Sequence, residues 1–374
     1  MLPCWDFDQP DDPYFRFRES ARFWTQRILL PIVFVIGLIG NLVTVVVLTR
    51  RRMKSSTNTY LTALAVSDIV YLSVFFALSY SHYPDAHSED SLIYWKIWPY
   101  LLWFNDASTG VSVWLTASFT LERYIAVCHP LRGRVFCTES RAQKVITCVV
   151  LFCAIVTITT PLEWQILTVD RPENITTGPD RCIIADSSEL ATNEFYKTFM
   201  YFFWNSVFIF IPLVILIVFN SFLIHTVHVS RKQRNGLTQA ELGGGSMRQK
   251  QENKITMTLI GVVIFFLVCQ LPAGITWIVK VFYDPPPNTS GHYLLLGFGN
   301  IFNFLVTVNA ASNFILYCAL SDKYRKTLIM TFFPCCVKPV DSNTTLTTYA
   351  SFRHSTKYRV PSLKENGFKD KVQL

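Results

Sequence analysis

Charged residues are scarce in this sequence, and local motifs for catalysis are missing from it. Asp, Glu, Lys and Arg make up 16% of the 374 residues, whereas a soluble chain usually carries about 25%. This scarcity excludes a cytosolic enzyme, a disordered regulator and a secreted module built on disulfides. The sequence also has no H-E-x-x-H, no G-x-S-x-G, no nucleotide-binding loop and no cluster of metal ligands. We therefore expect a protein that is not an enzyme and that binds no nucleic acid.

Apolar residues are abundant and are grouped in long blocks. They make up 51% of the chain, and the mean hydropathy is +0.29. A helix needs about 20 apolar residues to cross about 30 Å of hydrocarbon. Seven blocks satisfy this requirement, at residues 27–49, 58–81, 95–127, 142–163, 198–229, 254–282 and 293–318. They are continuous, unlike the short alternating segments of barrel strands, so the sequence predicts an all-α, seven-transmembrane helix bundle.

The positions of the basic residues predict how the bundle is oriented. Lys and Arg are concentrated after the first, third, fifth and seventh blocks, within 50–54, 132–144, 231–250 and 323–326. Short cytoplasmic loops are enriched in these residues. We therefore expect a multi-pass protein of the plasma membrane with an extracellular N-terminus and a cytoplasmic C-terminus. The start of the chain has no basic stretch followed by an apolar core, so we expect the first block to direct its own insertion.

The segments assigned to the outside are acidic. Residues 1–25, 81–95, 163–196 and 284–292 contain 16 Asp and Glu but only 5 Lys and Arg. A surface of this charge attracts a cationic ligand. Asn174 and Asn288 begin glycosylation sequons on this side, while Asn343 begins one on the inner side and should stay unmodified.

Cysteines and the residues around them predict two covalent modifications. Of the ten cysteines, only Cys4 and Cys182 lie on the oxidising side, so we expect a disulfide between them; the alternative is two thiols that are free or paired between molecules. Cys335 and Cys336 follow a short amphipathic stretch and are candidates for palmitoylation.

These assignments divide the chain into four regions. They are an extracellular N-terminus (1–26), the bundle (27–318), an amphipathic helix with the palmitoylation candidates (319–336) and a disordered cytoplasmic tail (337–374). The helix at 321–333 should lie on the membrane surface with its basic residues toward anionic lipids.

Several polar residues fall inside the apolar blocks. Asp68 lies in the second block, and Asn41, Ser112, Asn309 and Asn313 lie in the first, third and seventh blocks. Such residues usually face the interior of a bundle or a water-filled cavity. If they converge, one carboxylate and several neutral oxygens would suit Na⁺. The alternative is a structural hydrogen-bond network that includes water.

An acid and a base lie side by side at the inner end of the third block. Glu122 and Arg123 are adjacent, and Glu252 begins the sixth block. Arg123 could pair with both acids, and this lock would break when the helices separate; the alternative is a simple pair with Glu122.

Prolines inside three blocks predict kinks, because proline lacks the N–H donor and its ring clashes with the preceding turn. They are Pro161, Pro212 and Pro272. We expect Pro272 to act as a hinge, with a static kink as the alternative.

Six landmarks in this order resemble the rhodopsin-like (class A) G-protein-coupled receptors. They are Asn41, Asp68, Glu122-Arg123-Tyr124, Pro212, Cys269-x-x-Pro272 and Asn313-x-x-x-Tyr317. The resemblance implies a ligand pocket that opens outward, allosteric Na⁺ at the Asp68 cluster, and a heterotrimeric G protein bound at the inner face, where Leu131 would contact it. Beyond this Na⁺, no cofactor or metal is implied. The tail is an expected target of receptor kinases and arrestin, with plain disorder as the alternative.

Departures from the family pattern narrow the resemblance. Trp98 replaces the cysteine that usually bridges to the outer loop, Gln270 replaces the usual aromatic residue in the sixth span, and Phe314 replaces the usual proline after Asn313. Thr307 replaces the lysine that an opsin requires. This combination looks most similar to FMRFamide-type neuropeptide receptors and related orphan receptors.

A short basic or amidated peptide is therefore the expected ligand. Its positive charge would meet Asp106 or Glu163, and its apolar and amide groups would contact other residues in the outer halves of the spans. These are Asn105, Thr109, Tyr201, Trp204, Asn205, Gln270, Trp277, Asn303 and Thr307. Aromatic residues at such positions can instead face lipid or the core. A small aromatic or amino-acid-like ligand is the alternative. A transporter or channel is disfavoured, because we see neither internal repeats nor interrupted helices.

Overall fold

A computed structural model describes residues 11–170, 180–235, 245–283 and 285–333 of the chain. Six helical segments in this part are long and apolar enough to cross a membrane: Pro13–Leu48, Ser56–His82, Glu139–Glu163, Glu194–Thr226, Val263–Lys280 and Ser290–Ala319. The third predicted span is also a helix, Leu92–Cys128. It is less apolar because it carries many Ser, Thr and Asn side chains, as a helix facing the interior of a bundle can. The predicted all-α bundle is confirmed.

The helices are labelled in chain order. They are α1 (Pro13–Arg22), α2 (Leu30–Leu48), α3 (Ser56–Leu78), α4 (Leu92–Cys128), α5 (Pro130–Phe136), α6 (Glu139–Val156), α7 (Glu189–Thr192), α8 (Glu194–Asn205), α9 (Ile211–Asn235), α10 (Gly245–Phe282), α11 (Ser290–Leu320) and α12 (Asp322–Phe332). π-helical turns at Phe23–Leu29 and Ser206–Phe210 join α1 to α2 and α8 to α9. The described residues divide into two units at Thr327, one before and one after this residue. The helices that could cross the membrane belong to the first.

The first helix begins at Pro13, earlier than the predicted start at residue 27. Hydropathy overlooked α1 because four of the ten residues in its sequence, PYFRFRESAR, are charged. Local signals explain the helix: Asp12 is its N-cap and accepts a 2.7 Å hydrogen bond from the Tyr14 backbone N–H, and proline occupies the first helical position. The apolar side of α1 packs on α11, with the rings of Phe15 and Tyr293 5.3 Å apart.

The prediction that Pro161 kinks a helix is wrong. α6 ends at Val156, and Pro161 lies in a short 3-10 turn, Thr160–Glu163, after the helix end. The apolar block continues past the end of the helix, so apolar character alone could not locate that end. Pro212 lies at the start of α9, directly after a π-helical turn, and Pro272 lies inside α10.

A β-hairpin follows the 3-10 turn in the segment expected only as a long loop. Strands β1 (Trp164–Asp170) and β2 (Arg181–Ser187) are antiparallel, with Trp164 opposite Ser187. Both strands are rich in the β-branched residues that favour this conformation. Trp98, which replaces the family cysteine, packs its ring 5.2 Å from that of Trp164. We call the end of the bundle that carries this hairpin the hairpin end, and the opposite end the Arg123 end.

Close helix contacts form the core of the bundle. A Cβ atom at Gly37 of α2 would lie 2.6 Å from a methyl carbon of Leu72 on α3 and 2.9 Å from the Cα of Ala311 on α11. Such distances are below any normal contact, so only glycine permits this approach. Tyr71, Leu72, Val306 and Ala310 form a buried apolar cluster in the same region.

Candidate functional site

Asp68 lies at the centre of a buried polar cluster between α3, α4 and α11. Its side chain is 1% exposed. One carboxylate oxygen accepts a hydrogen bond from the Ser112 hydroxyl at 3.1 Å, and the other accepts one from the Asn313 amide at 2.7 Å. Asn309 is also buried, one turn before Asn313 on α11. The structure thus brings three of the four predicted sodium-site residues into direct contact.

The chemistry of this cluster fits a small hard cation. In the described part of the chain, Asp68 has no ion-pair partner, so only neutral donors face its charge. Two further buried oxygens, Asn41 Oδ1 and Tyr317 Oη, have no hydrogen-bond partner among the described residues, and a buried polar atom without a partner is costly. Asp68, Ser112 and Asn313 are the residues that would hold Na⁺.

Glu122 and Arg123 form an ion pair at the Arg123 end. The Arg123 guanidinium lies 2.6 Å from a Glu122 carboxylate oxygen, and the two side chains are 18% and 8% exposed. Arg123 Nε is buried without a hydrogen-bond partner among the described residues. Residue 252 belongs to α10, but its side chain lies outside the described part, and so does the predicted second contact of Arg123.

Two hydroxyl groups hold Glu122 from the first turn of α3. Ser56 donates a hydrogen bond to Glu122 Oε2 at 2.5 Å, and Thr57 donates one to Oε1 at 3.1 Å. The sequence reasoning did not identify these residues. The available signal was the run Ser-Ser-Thr-Asn-Thr at the start of a membrane helix. Only its first member, Ser55, is needed as the N-cap, where it accepts a hydrogen bond from the Asn58 N–H.

Apolar and aromatic side chains also lie at the Arg123 end of the bundle. The Tyr124 ring packs against Phe219 on α9 at 4.9 Å. Leu131 on α5 is 81% exposed. An exposed apolar side chain beside Val135 and Phe136, which are also exposed, is typical of a surface that contacts another protein.

Two carboxylates, those of Asp106 and Glu163, lie at the hairpin end, and residues of the turn after α6 bind both of them. Asp106 on α4 accepts hydrogen bonds from Thr160 at 3.2 Å and from Asn105 at 3.4 Å. Glu163 accepts hydrogen bonds from the Tyr196 hydroxyl at 2.7 Å and from Thr159 at 3.4 Å. These donors are neutral, so neither carboxylate has a cationic hydrogen-bond donor among the described residues.

Some of the other predicted ligand contacts already form hydrogen bonds within the bundle, and some have polar atoms without a partner among the described residues. The oxygens Asn105 Oδ1 and Asn205 Oδ1 are buried and have no hydrogen-bond partner among the described residues. Thr109 donates to the backbone oxygen of Asn105 at 2.8 Å. Thr307 has no exposed surface and its hydroxyl lies 3.2 Å from that of Tyr71.

Four further predicted contacts are Tyr201, Trp204, Gln270 and Trp277. Asn205 donates to the backbone oxygen of Tyr201 at 2.7 Å, and the Trp204 ring packs 4.6 Å from that of Phe208. Gln270 is half-buried in α10. The side chain of Trp277 lies outside the described residues.

A cavity of 220 Å³ at the hairpin end is lined by basic residues, in contrast to the two carboxylates Asp106 and Glu163. We call it the cationic cavity. It is lined by residues from α1, the 3-10 turn Ser79–His82 after α3, α10 and α11, including Arg18, Arg22, His82, Lys280, Asn300 and Asn303. Of these, only Asn303 had been predicted as a ligand contact. The arginines were overlooked because nothing in the hydropathy pattern places the N-terminal segment beside the seventh span.

The predicted modification sites are only partly within the described residues. Asn288 is exposed in the turn before α11, with φ of 63°, a conformation that asparagine tolerates better than most residues. Cys182 is disulfide-bonded, and its predicted partner Cys4 lies outside the described residues. Asn174, Cys335 and Cys336 lie outside them as well.

Comparisons with known proteins identify the family. The profile of the family described as "7 transmembrane receptor (rhodopsin family)" matches residues 40–317, which is most of the chain. The chain is 29% identical to the FMRFamide receptor of Drosophila melanogaster over 335 residues, covering 86% of this chain but only 57% of that protein. It is 28% identical to the neuromedin U receptor homolog nmur-2 of Caenorhabditis elegans, covering 80% of this chain and 77% of the relative.

A vertebrate relative has similar coverage. The growth hormone secretagogue receptor type 1 of Sus scrofa is 28% identical, over 78% of this chain and 76% of its own length. The chain therefore belongs to the rhodopsin family of seven-transmembrane receptors, which are multi-pass G-protein-coupled receptors and not enzymes.

Proposed function

We propose that this protein is a plasma-membrane receptor that binds a peptide at the hairpin end and activates a heterotrimeric G protein at the Arg123 end. The observation that carries this proposal is the pair of carboxylates, Asp106 and Glu163, whose hydrogen bonds within the described part of the chain come from neutral donors alone. The relatives named above are receptors for peptides by their names, which favours a peptide over a small amino-acid-like ligand.

The hairpin end faces outward in this proposal. Loops rich in Lys and Arg follow α2, α4 and α9 at the other end, as expected for the cytoplasmic side. The exposed Asn288 would then be accessible to glycosylation, as would Asn174. A Cys4–Cys182 disulfide, palmitoylation of Cys335 and Cys336, and recognition of the tail by receptor kinases and arrestin belong to the same proposal.

Signalling would require the Glu122–Arg123 pair to separate as α10 moves. Leu131 is the exposed apolar contact that we assign to the G protein. Na⁺ at Asp68 would favour the inactive arrangement, because it would draw α3, α4 and α11 together through oxygens that each helix supplies. A ligand shifts such an equilibrium only by binding one state more tightly than the other.

A ligand panel tests this proposal. Cells expressing the chain are exposed to amidated peptides, including FMRFamide, and to aromatic amino acids, and calcium and cyclic AMP are both recorded. Activation by a peptide is expected. Activation by amino acids alone would replace the peptide by the smaller ligand class, and glycan on Asn343 would reverse the topology.

A variant then locates the ligand's positive charge. Asp106→Asn removes the charge but keeps a side chain of the same shape, so the potency of an active basic peptide should fall at least about tenfold, the equivalent of about 1.4 kcal/mol. Asp90→Asn, at an exposed site near the same end, is the control. An unchanged dose response of Asp106→Asn would remove this residue from the site.

A further inference from the structure

Cations predominate in the lining of the cationic cavity. Arg18 and Arg22 come from α1 and Lys280 comes from α10, and the described residues that line the cavity include no Asp or Glu. One carboxylate lies beside it: Glu19 is 2.7 Å from the Arg18 guanidinium and 3.4 Å from that of Arg22. Glu19 alone cannot balance both Arg18 and Arg22, so the two arginines give this wall of the cavity a net positive charge.

The Arg18 guanidinium is held in a fixed position. It lies 4.6 Å from the ring centroid of Phe15 and 4.9 Å from that of Tyr293, and both rings are buried. Such cation–π contacts orient the planar group without neutralising it. α1 itself is fixed on α11, because Phe17 lies so close to Gly297 that a Cβ atom there would approach its ring to 2.4 Å. The cavity wall is therefore preorganised.

The size of the cavity limits what it can hold. Pockets that enclose a whole small ligand measure about 300–1,000 Å³, whereas this one measures 220 Å³. It can therefore hold one functional group of a ligand whose remainder lies outside. Gly299 on α11 leaves open space, since a Cβ atom added there meets nothing within 4 Å. The amides of Asn300 and Asn303 supply further hydrogen-bond donors.

We propose that the cationic cavity binds a carboxylate of the ligand, supplied by an acidic side chain or by a free C-terminus. A guanidinium recognises a carboxylate through two parallel hydrogen bonds, and two arginines line the cavity. The inference rests on the proposed function only in taking the ligand to be a peptide. It adds an acidic group to a ligand that the sequence predicted to be basic or amidated, with the basic group near Asp106 and the acid between α1 and α11.

The test uses small probes that represent each source of the carboxylate. Purified full-length protein is titrated with N-acetylglycine, which represents a free C-terminus, and with N-acetylaspartic acid amide, which represents an acidic side chain. N-acetylglycinamide and N-acetylasparagine amide are their neutral counterparts. Saturation-transfer NMR at constant ionic strength gives the dissociation constants. At least one acid should bind about tenfold or more tightly than its neutral counterpart.

Three variants assign this preference to the cavity. Arg22→Gln removes one cation, and Gly299→Leu places a side chain in the space where an added Cβ atom meets nothing within 4 Å; each should abolish the preference. Arg16→Gln is the matched control, because Arg16 lies on the same helix but is 75% exposed and pairs with Asp11. It should bind like the wild type.

Two results would overturn the proposal: equal binding of acids and neutral counterparts, or a preference that survives both Arg22→Gln and Gly299→Leu. The peptide panel is scored separately on the wild type. A receptor that responds to peptides but does not prefer acids would contradict this inference and leave the proposed function intact.

Discussion

The two ends of the bundle treat charge in opposite ways. At the Arg123 end, the cation meets an adjacent carboxylate, and hydroxyls from α3 bind that carboxylate in turn. At the hairpin end, cations gather in one cavity, while Asp106 and Glu163 accept hydrogen bonds from neutral groups. The first arrangement satisfies its charges internally and must be broken to act. The second leaves charge to be satisfied by a ligand.

Breaking the internal pair should give the largest effect. Glu122→Gln leaves the partly buried Arg123 without its counter-charge, a change that costs about 3–5 kcal/mol for a fully buried pair and less here because Arg123 is 18% exposed. Ligand-independent G-protein activation should rise at least about fivefold, equivalent to about 1 kcal/mol. The measurement is basal signalling at matched surface expression. Glu139→Gln, at the exposed start of α6, is the control, and basal activity equal to wild type would contradict the switch.

Removing the hydrogen bonds that Ser56 and Thr57 donate to Glu122 should also raise basal signalling, but by less than Glu122→Gln does. Ser56→Ala removes one hydroxyl donor to the carboxylate, and a hydrogen bond to a charged group is worth about 1.5–3 kcal/mol. Only part of that energy bears on the switch, because Thr57 still donates. Basal signalling should lie between wild type and Glu122→Gln, and should rise further in the Ser56→Ala/Thr57→Ala double variant. Ser140→Ala, exposed on α6, should match wild type. A double variant with wild-type basal activity would show that these hydroxyls do not support the pair.

The smallest effect concerns how α1 is held at the hairpin end. The Ser290 hydroxyl donates to Asp12, and the backbone N–H groups at the start of α1 do so as well, which lowers the pKa of Asp12 below its usual range. Because the pKa is lower in the docked state, docking is favoured above the ordinary pKa and weakens as pH falls through the lowered value. Amide hydrogen exchange in α1, corrected for intrinsic rates, should be faster at pH 3 than at pH 6.

The control for this experiment is Asp12→Asn. Asparagine also caps a helix but does not titrate, so its α1 protection should be the same at both pH values. A pH dependence as large as that of the wild type would assign the effect to another acid, such as Glu19.

Sequence alone predicted the parts of this molecule that follow from one-dimensional rules. Apolar length located the spans. The cost of burying Asp68 indicated that it faces the interior of the bundle, and the family resemblance grouped it with Ser112 and Asn313, which contact it in the structure. The Glu122–Arg123 pair was predictable because the two residues are adjacent. The support from Ser56 was not, because it depends on how the start of α3 meets the end of α4.

The cationic cavity shows the same limit. Arg22 and Lys280 are far apart in the chain, and they meet only because α1 packs on α11. Because charges were counted over whole loops, the sequence predicted an outer face that is acidic throughout. The average did not reveal that Arg18 and Arg22 lie together in one cavity. The end of α6 before Pro161 was missed because helix ends depend on hydrogen bonding, which apolar content does not record.

The π-helical turn at Phe23–Leu29 makes α1 and α2 one continuous helical segment. It joins α1 to α2 without a break, so the two cannot pivot independently as segments joined by a loop would. A displacement of the arginines of α1 would therefore be shared by α2, which carries Gly37 and Asn41. Contact at α1 would in this way bear on the close packing of α2 with α3 and α11 at Gly37.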